Sequence, residues 1–126
     1  MLKRLFKKKI KRAHERFSKE EIILACDDAN YFGMESRGVR EVRGNGTLIL
    51  TEEIIFFLKW VPEDIIEIPL NKIQDITTPK SHMHRSAFLK LLKVSFLNQE
   101  GNQDSVAWFV RDLDKWTKAL SNYAKS

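Results

Sequence analysis

The sequence predicts a mainly β protein: an antiparallel barrel or sandwich of about seven strands, capped by a C-terminal α-helix and preceded by a basic amphipathic N-terminal helix. Three observations carry this reading. Residues 21–110 alternate short runs rich in Ile, Leu, Val and Phe with turn residues, at the spacing of antiparallel strands. Residues 112–124 change to helical spacing. The first 17 residues hold eight Lys or Arg against one Glu, whereas the rest of the chain holds fourteen basic and sixteen acidic residues. A net charge of +5 therefore hides a strongly basic arm joined to a slightly acidic body.

The arm, "MLKRLFKKKIKRAHERF", places Leu2, Leu5, Phe6, Ile10, Ala13 and Phe17 within an arc of about 140° when wound as a helix. Lys9 and Arg16 intrude on that arc, with their stems able to run along its border. Basic residues, including Lys3, Arg4, Lys7, Lys8, Lys11 and Arg12, occupy most of the remainder. The spacing predicts residues 1–18 as this helix and 19–126 as the domain proper. Ser18 and Glu21 have capping-box spacing, which also allows a short helix to start there.

Strands are expected near residues 21–26, 38–43, 46–51, 54–60, 65–69, 72–77, 89–97 and 103–110. Gly44, Asn45 and Gly46 tolerate positive φ, "TEE" (51–53) is short enough for a hairpin, and "NQEGNQ" (98–103) is the clearest hairpin loop. Pro62 and Pro69 fall at run ends, where a missing amide proton is tolerated. Alternation puts Ile54, Phe56, Leu58 and Trp60 on one side and Ile55 and Phe57 on the other, so both faces of that strand need cover. Leu92, Val94 and Phe96, like Val106, Trp108 and Val110, share one face of half-buried strands. Asp112 precedes Leu113, Trp116, Leu120 and Ala124, an N-cap and one apolar helix face. Asp112 and Asp114 also suit the positive end of that helix dipole.

At 126 residues one core is expected, and no apolar run approaches the roughly 20 residues needed to cross a bilayer. The basic start lacks the continuous apolar stretch of a signal peptide, which predicts a cytoplasmic protein, peripheral to the inner face of the membrane if its arm engages lipid. Cys26, in "EIILACD", reads as a buried small hydrophobe. There is no Gly-rich phosphate loop followed by lysine, no nucleophile elbow, no HExxH and no carboxylate pair in an apolar setting. The sequence thus predicts binding without catalysis and without a cofactor or metal.

The phrases "GNGTLILTEEIIFFL", "IPLNKIQDI", "LKVSFLNQEGNQDSVAWFV" and "LDKWTKAL" resemble the pattern of the GRAM and bacterial pleckstrin-homology-like domains across roughly residues 20–124. The resemblance implies about seven antiparallel strands, a last helix with a buried tryptophan, and a non-catalytic module for phosphoinositides, membranes or protein partners. Lipid-binding members carry a basic cluster between the first two strands. The sequence reading places "DDANYFGMESRG" there, with Asp27, Asp28 and Glu35 against Arg37, which predicts repulsion of a polyphosphate.

Three places are left for function. The arm is expected to lie on an anionic lipid surface or an acidic protein partner, by charge attraction plus burial of Leu2, Leu5, Phe6 and Ile10. The alternatives are packing of that apolar arc on the scaffold itself or at a homo-oligomer interface; nucleic acid is disfavoured, reachable only through the arm. Residues 78–90, with Lys80, His82, His84 and Arg85 and no acidic residue, form a candidate anion-binding loop. Arg37, Arg40 and Arg43, interleaved with Glu41, read as a salt-bridged strand face.

Overall fold

A computed structural model describes residues 2–38, 40–83 and 85–124, with Leu2, Lys3 and Arg85 described in backbone only. After the short helices α1 (Leu2–Leu5) and α2 (Lys7–Glu15), the chain forms β1 (Leu24–Met34), β2 (Gly44–Leu50), β3 (Ile54–Lys59), β4 (Asp64–Pro69) and β5 (Ile73–Thr77). A small hairpin, β6 (Ser81–His82) and β7 (Arg85–Ser86), precedes β8 (Leu92–Leu97), β9 (Gln103–Phe109) and α3 (Leu113–Tyr123). Seven strands make one antiparallel sheet in the order β4-β3-β2-β1-β9-β8-β5. Its edges β4 and β5 do not pair, so the sheet stays open, and α3 lies against β5 and β8.

The inner face is the main core. Ile55 and Phe57 of β3 meet Leu92, Val94 and Phe96 of β8, Val106 and Trp108 of β9, and Trp116 and Leu120 of α3, all buried. This is the alternation expected of those strands, and the tryptophan of the last helix sits on its buried side. The same alternation sends Ile54, Phe56 and Leu58 to the outer face, where they join Ile49 of β2. A second outer cluster, Phe32, Leu91 and Ala107, is covered by the chain between β5 and β8.

Hairpin chemistry follows the sequence. Thr51 Oγ1 accepts from the amides of Glu53 and Ile54 at 3.1 Å each, closing the β2–β3 turn. Asn98 Oδ1 accepts from the Glu100 and Asn102 amides at 3.0 Å each, and Gly101 takes φ +82° between them. Asp112 stands at the N-cap of α3, yet it is left-handed (φ 54°) and makes no side-chain cap bond; its carbonyl accepts from Lys115 and Trp116 instead. Ser18 and Glu21 form half of a capping box, with Ser18 N–H donating to Glu21 Oε1 at 2.8 Å, but inside a turn and not a helix.

Four elements differ from expectation. The first strand begins at Leu24 and runs on through "DDANYFGM" to Met34. The acidic pair is tolerated because the ladder with β2 shifts register between Cys26 and Ala29, and each carboxylate there has a basic partner. Residues 38–43 are not a strand, since Glu41 turns inward to Tyr31, Met34 and Arg37 and breaks the alternation; Val39 lies outside the described residues. Residues 89–91 do not belong to β8, and the expected loop at 78–90 contains the β6–β7 hairpin. The arm is two helices interrupted at Phe6 and ending at Glu15.

Candidate functional site

The N-terminal helix is the cover that the outer face of β2 and β3 requires. Ala13 is fully buried against Ile49, Phe56 and Leu58, with Phe17 packed beside them. Phe6 stacks on Trp60, ring centroids 4.7 Å apart and planes 18° off parallel. Phe17 meets Phe56 edge-on at 5.5 Å. Trp60 is held in turn by a hydrogen bond from Nε1 to Thr47 Oγ1 at 3.2 Å.

Polar contacts fix the register of this docking. Lys9 Nζ donates to the Trp60 carbonyl and lies 3.7 Å from Glu63. Arg12 reaches Glu63 at 2.6 Å, and Arg16 reaches Glu67 of β4 at 3.2 Å while its guanidinium covers the Phe56 ring at 4.9 Å. On the other flank His14 Nε2 meets Asp27 Oδ1 of β1 at 2.7 Å. Asp28 pairs with Arg111 at 2.6 Å.

The basic arm thereby separates into two stripes. Lys9, Arg12 and Arg16, spaced i, i+3 and i+7, are spent on β4, the turn before it and the Trp60 carbonyl. Lys7, Lys8 and Lys11, spaced i, i+1 and i+4 on α2, form a second, exposed stripe, and Arg4 of α1 is exposed before the break at Phe6. Lys11 has only a long contact to the exposed Glu15, 4.0 Å away, and Arg4, Lys7 and Lys8 have no ion-pair partner among the described residues. Of the apolar residues expected at a membrane, Phe6 is committed to Trp60, Ile10 is half-buried, and Leu5 is 79% exposed. The side chains of Leu2 and Lys3 lie outside the described atoms.

Glu63 receives Arg12 and Lys9, and the Arg12 hydrogen bond, ahead of burial and charge effects, holds its carboxyl below the ordinary range. A carboxylate lowered in the folded state contributes stability at neutral pH that is lost as pH falls from its ordinary range toward the lowered value. Docking of the helix on the β3–β4 turn should therefore loosen on acidification below about pH 4. Trp60 fluorescence followed by acid titration checks this, with Glu63→Gln expected to flatten that part of the curve.

The loop from Thr78 to Lys90 is less uniform than its sequence. Lys80 is exposed, whereas His82 is buried with Nε2 3.0 Å from the Gly33 carbonyl of β1. Its ring therefore braces the hairpin on the sheet and does not face solvent. His84 and the side chain of Arg85 lie outside the described residues. Phe88 and Leu89 are 86% and 57% exposed. Their sequence signal is the run "AFLKLL", which holds more apolar residues than one face of a strand can bury.

The loop that joins the first two strands is 35–43, not the acidic segment expected there. Arg37 pairs with Glu41 at 2.8 Å and also with Asp64, but in a loop and without Arg43, not as the salt-bridged strand face expected. Glu41 also accepts from the Tyr31 hydroxyl and the Met34 amide; burial, then this bond, pushes the Tyr31 phenol above its ordinary value. Buried Lys59 donates to the Val42 carbonyl at 2.8 Å and lies over the Tyr31 ring. Arg40 is exposed, and exposed Arg43 covers the Phe32 ring at 4.2 Å. Arg40 and Arg43 face outward from this loop together with exposed Glu35, while Asp27 and Asp28 belong to β1.

Two of the surface clefts reach residues of the main core. One of about 270 Å³ lies beside Cys26, Asp28, Arg111 and Trp116, and burial there raises the Cys26 thiol. A wider groove of about 810 Å³ follows the open seam, floored by Met34, Ile66 and Phe96. Among the described residues no helix is long and apolar enough to cross a membrane.

No protein-family profile matches the chain, and no curated protein resembles it in sequence. Solved structures do resemble it in fold. A chain of the 8S snRNP assembly intermediate aligns with TM-score 0.66 at 10% identity, over 85% of this chain and 84% of that one. The C-terminal domain of an unknown protein from Leishmania infantum aligns with TM-score 0.56 at 14% identity, over 99% and 100%. Vav1 bound to an allosteric inhibitor aligns with TM-score 0.52 at 13% identity, over 80% of this chain and 26% of that one. At these identities the likeness is one of fold alone.

Proposed function

We propose that the chain is a pleckstrin-homology-like, non-catalytic binding module that attaches to an anionic membrane surface through the exposed side of its docked N-terminal helix. The strand order β4-β3-β2-β1-β9-β8-β5, followed by a helix whose Trp116 enters the core, supports the domain assignment alongside the sequence phrases that resemble that family. The observation that carries the attachment is the division of the basic arm. Phe6, Ala13, Phe17 and one cationic stripe are engaged by the sheet, while Lys7, Lys8 and Lys11 of α2, with Arg4 of α1, stay exposed.

Each Lys or Arg near an anionic bilayer contributes about 1 kcal/mol before screening, so four contribute about 4 kcal/mol. Attraction of that kind fades as salt shortens the Debye length from about 30 Å at 0.01 M to about 3 Å at 1 M. The full chain should co-sediment with anionic vesicles at low salt, not with neutral ones, and should dissociate as salt rises. The triple variant K7E/K8E/K11E should weaken binding by roughly a hundredfold or more with unchanged circular dichroism, because these side chains support no contact to the sheet. Equal binding of the variant, or salt-resistant binding to neutral vesicles, would remove the cationic stripe from the account. Light scattering on the same samples reports whether the helix serves a homo-oligomer instead, and an oligonucleotide arm reports nucleic acid.

A further inference from the structure

We infer that Phe88 and Leu89 form an apolar wedge that enters the acyl region of an anionic bilayer, supplying the hydrophobic part of an attachment whose charge comes from the helix. The inference rests on the membrane reading above and assigns to it an apolar site apart from the helix. A purely electrostatic contact is weak and salt-labile, and a stable peripheral anchor takes two signals, one of them apolar. With Phe6 stacked on Trp60 and Ile10 half-buried, the described side chains of the helix leave Leu5 exposed as its apolar contribution, less than the exposed pair Phe88 and Leu89 supplies.

The backbone shows how the wedge is made. Ala87 N–H donates to the Lys80 carbonyl at 2.9 Å and Leu91 N–H to the Pro79 carbonyl at 2.7 Å. Two adjacent residues, Pro79 and Lys80, are thus bonded to two residues separated by three, and Phe88, Leu89 and Lys90 are pushed out between the two bonds. Ala87 and Leu91 on either side turn inward to the cluster of Phe32, Ala107 and Phe109. Phe88 does not follow them. It takes a left-handed conformation, φ 61°, which an aromatic residue adopts only at a cost, and the result is a side chain 86% exposed. Strain that turns a phenyl ring out of an adjacent apolar cluster is the reverse of what burial alone would select.

The surroundings fit an anionic bilayer. Lys80 and Lys90 flank the wedge and are exposed, and the segment from Thr78 to Lys90 contains no carboxylate. Arg43 stands over Phe32 in the same outer cluster. Apolar side chains at the tip with cations behind them match the order of acyl chains and phosphates met on entering a leaflet. The wedge and the basic helix cover neighbouring parts of one outer sheet face, β1 and β9 for the former and β2 and β3 for the latter.

The test uses the full chain with vesicles of phosphatidylserine and phosphatidylcholine, some carrying bromine on the acyl chains. Trp60, Trp108 and Trp116 are buried, so an F88W variant adds one exposed reporter to a constant background. Its emission should shift to the blue on binding and be quenched by the brominated acyl chains. The F88A/L89A variant should weaken partitioning by about a hundredfold while keeping its salt dependence. If the full chain binds anionic vesicles but the F88W indole is neither shifted nor quenched, the wedge is overturned and the helix-based reading stands. If neither wild type nor F88W binds vesicles, both fall. An effect of F88A/L89A on self-association in the absence of lipid would assign the pair to a protein contact and likewise overturn the wedge.

Discussion

Ala13→Asp is expected to release the N-terminal helix from the sheet. Ala13 is fully buried against Ile49, Phe56 and Leu58, and the cation over that cluster, Arg16 on the Phe56 ring, is already paired with Glu67. Leaving a charge unpaired in such a place costs about 3–5 kcal/mol, enough to favour undocking over burial. Three readouts should change together: Trp60 emission as the Phe6 stack is lost, helical circular dichroism, because helices this short are marginal in isolation, and solubility, because an apolar sheet face is uncovered. Ala13→Ser, with a small hydroxyl able to bond back to its own helix, should cost far less. A variant A13D that keeps native Trp60 emission would mean that the helix does not depend on this seat.

Gly46→Ala should be the most destabilising single-methyl change in the sheet. A Cβ at Gly46 would lie 2.3 Å from the Leu58 carbonyl oxygen and 2.7 Å from the Phe57 ring, both part of β3 across the ladder. Backbone cannot yield there without opening the β2–β3 pairing, and Phe57 sits in the main core. Overpacking of this kind costs about 3 kcal/mol or more, which lowers Tm by roughly 10–15 °C in a chain of this size. Gly101→Ala is the comparison: a Cβ there meets nothing within 4 Å, and its cost comes only from φ +82°. Thermal denaturation of the two variants should rank them in that order.

Much of the sheet was legible because its strands alternate. Ile55 and Phe57 against Ile54, Phe56 and Leu58 announced two covered faces on one strand, and the basic arm with its apolar arc was the one unplaced element able to cover the second. What alternation could not reveal was β1. "DDANYFGM" looks like a loop because Asp is a poor strand former, and only a register shift with His14 and Arg111 opposite the two carboxylates makes it a strand. Glu41 misled in the other direction, since its pull toward Tyr31 and Met34 is a long-range contact invisible in a local pattern. The candidate site was legible as composition and not as geometry. Eight basic residues in the arm were plain, but which of them are paired depends on Glu63 and Glu67, some fifty residues away. Likewise the histidine at 82 reads as a surface cation until its contact with Gly33 is known.

Hydrogen exchange of the full chain, with and without anionic vesicles, bears most directly on the claim that the module attaches with its helix still docked. Amides of α2 and of β2 and β3 beneath it should remain as protected on vesicles as in solution, while protection increases at residues 86–90. Loss of protection in β2 and β3 on binding would show the helix leaving the sheet to insert its own apolar side, and would contradict the docked mode of attachment.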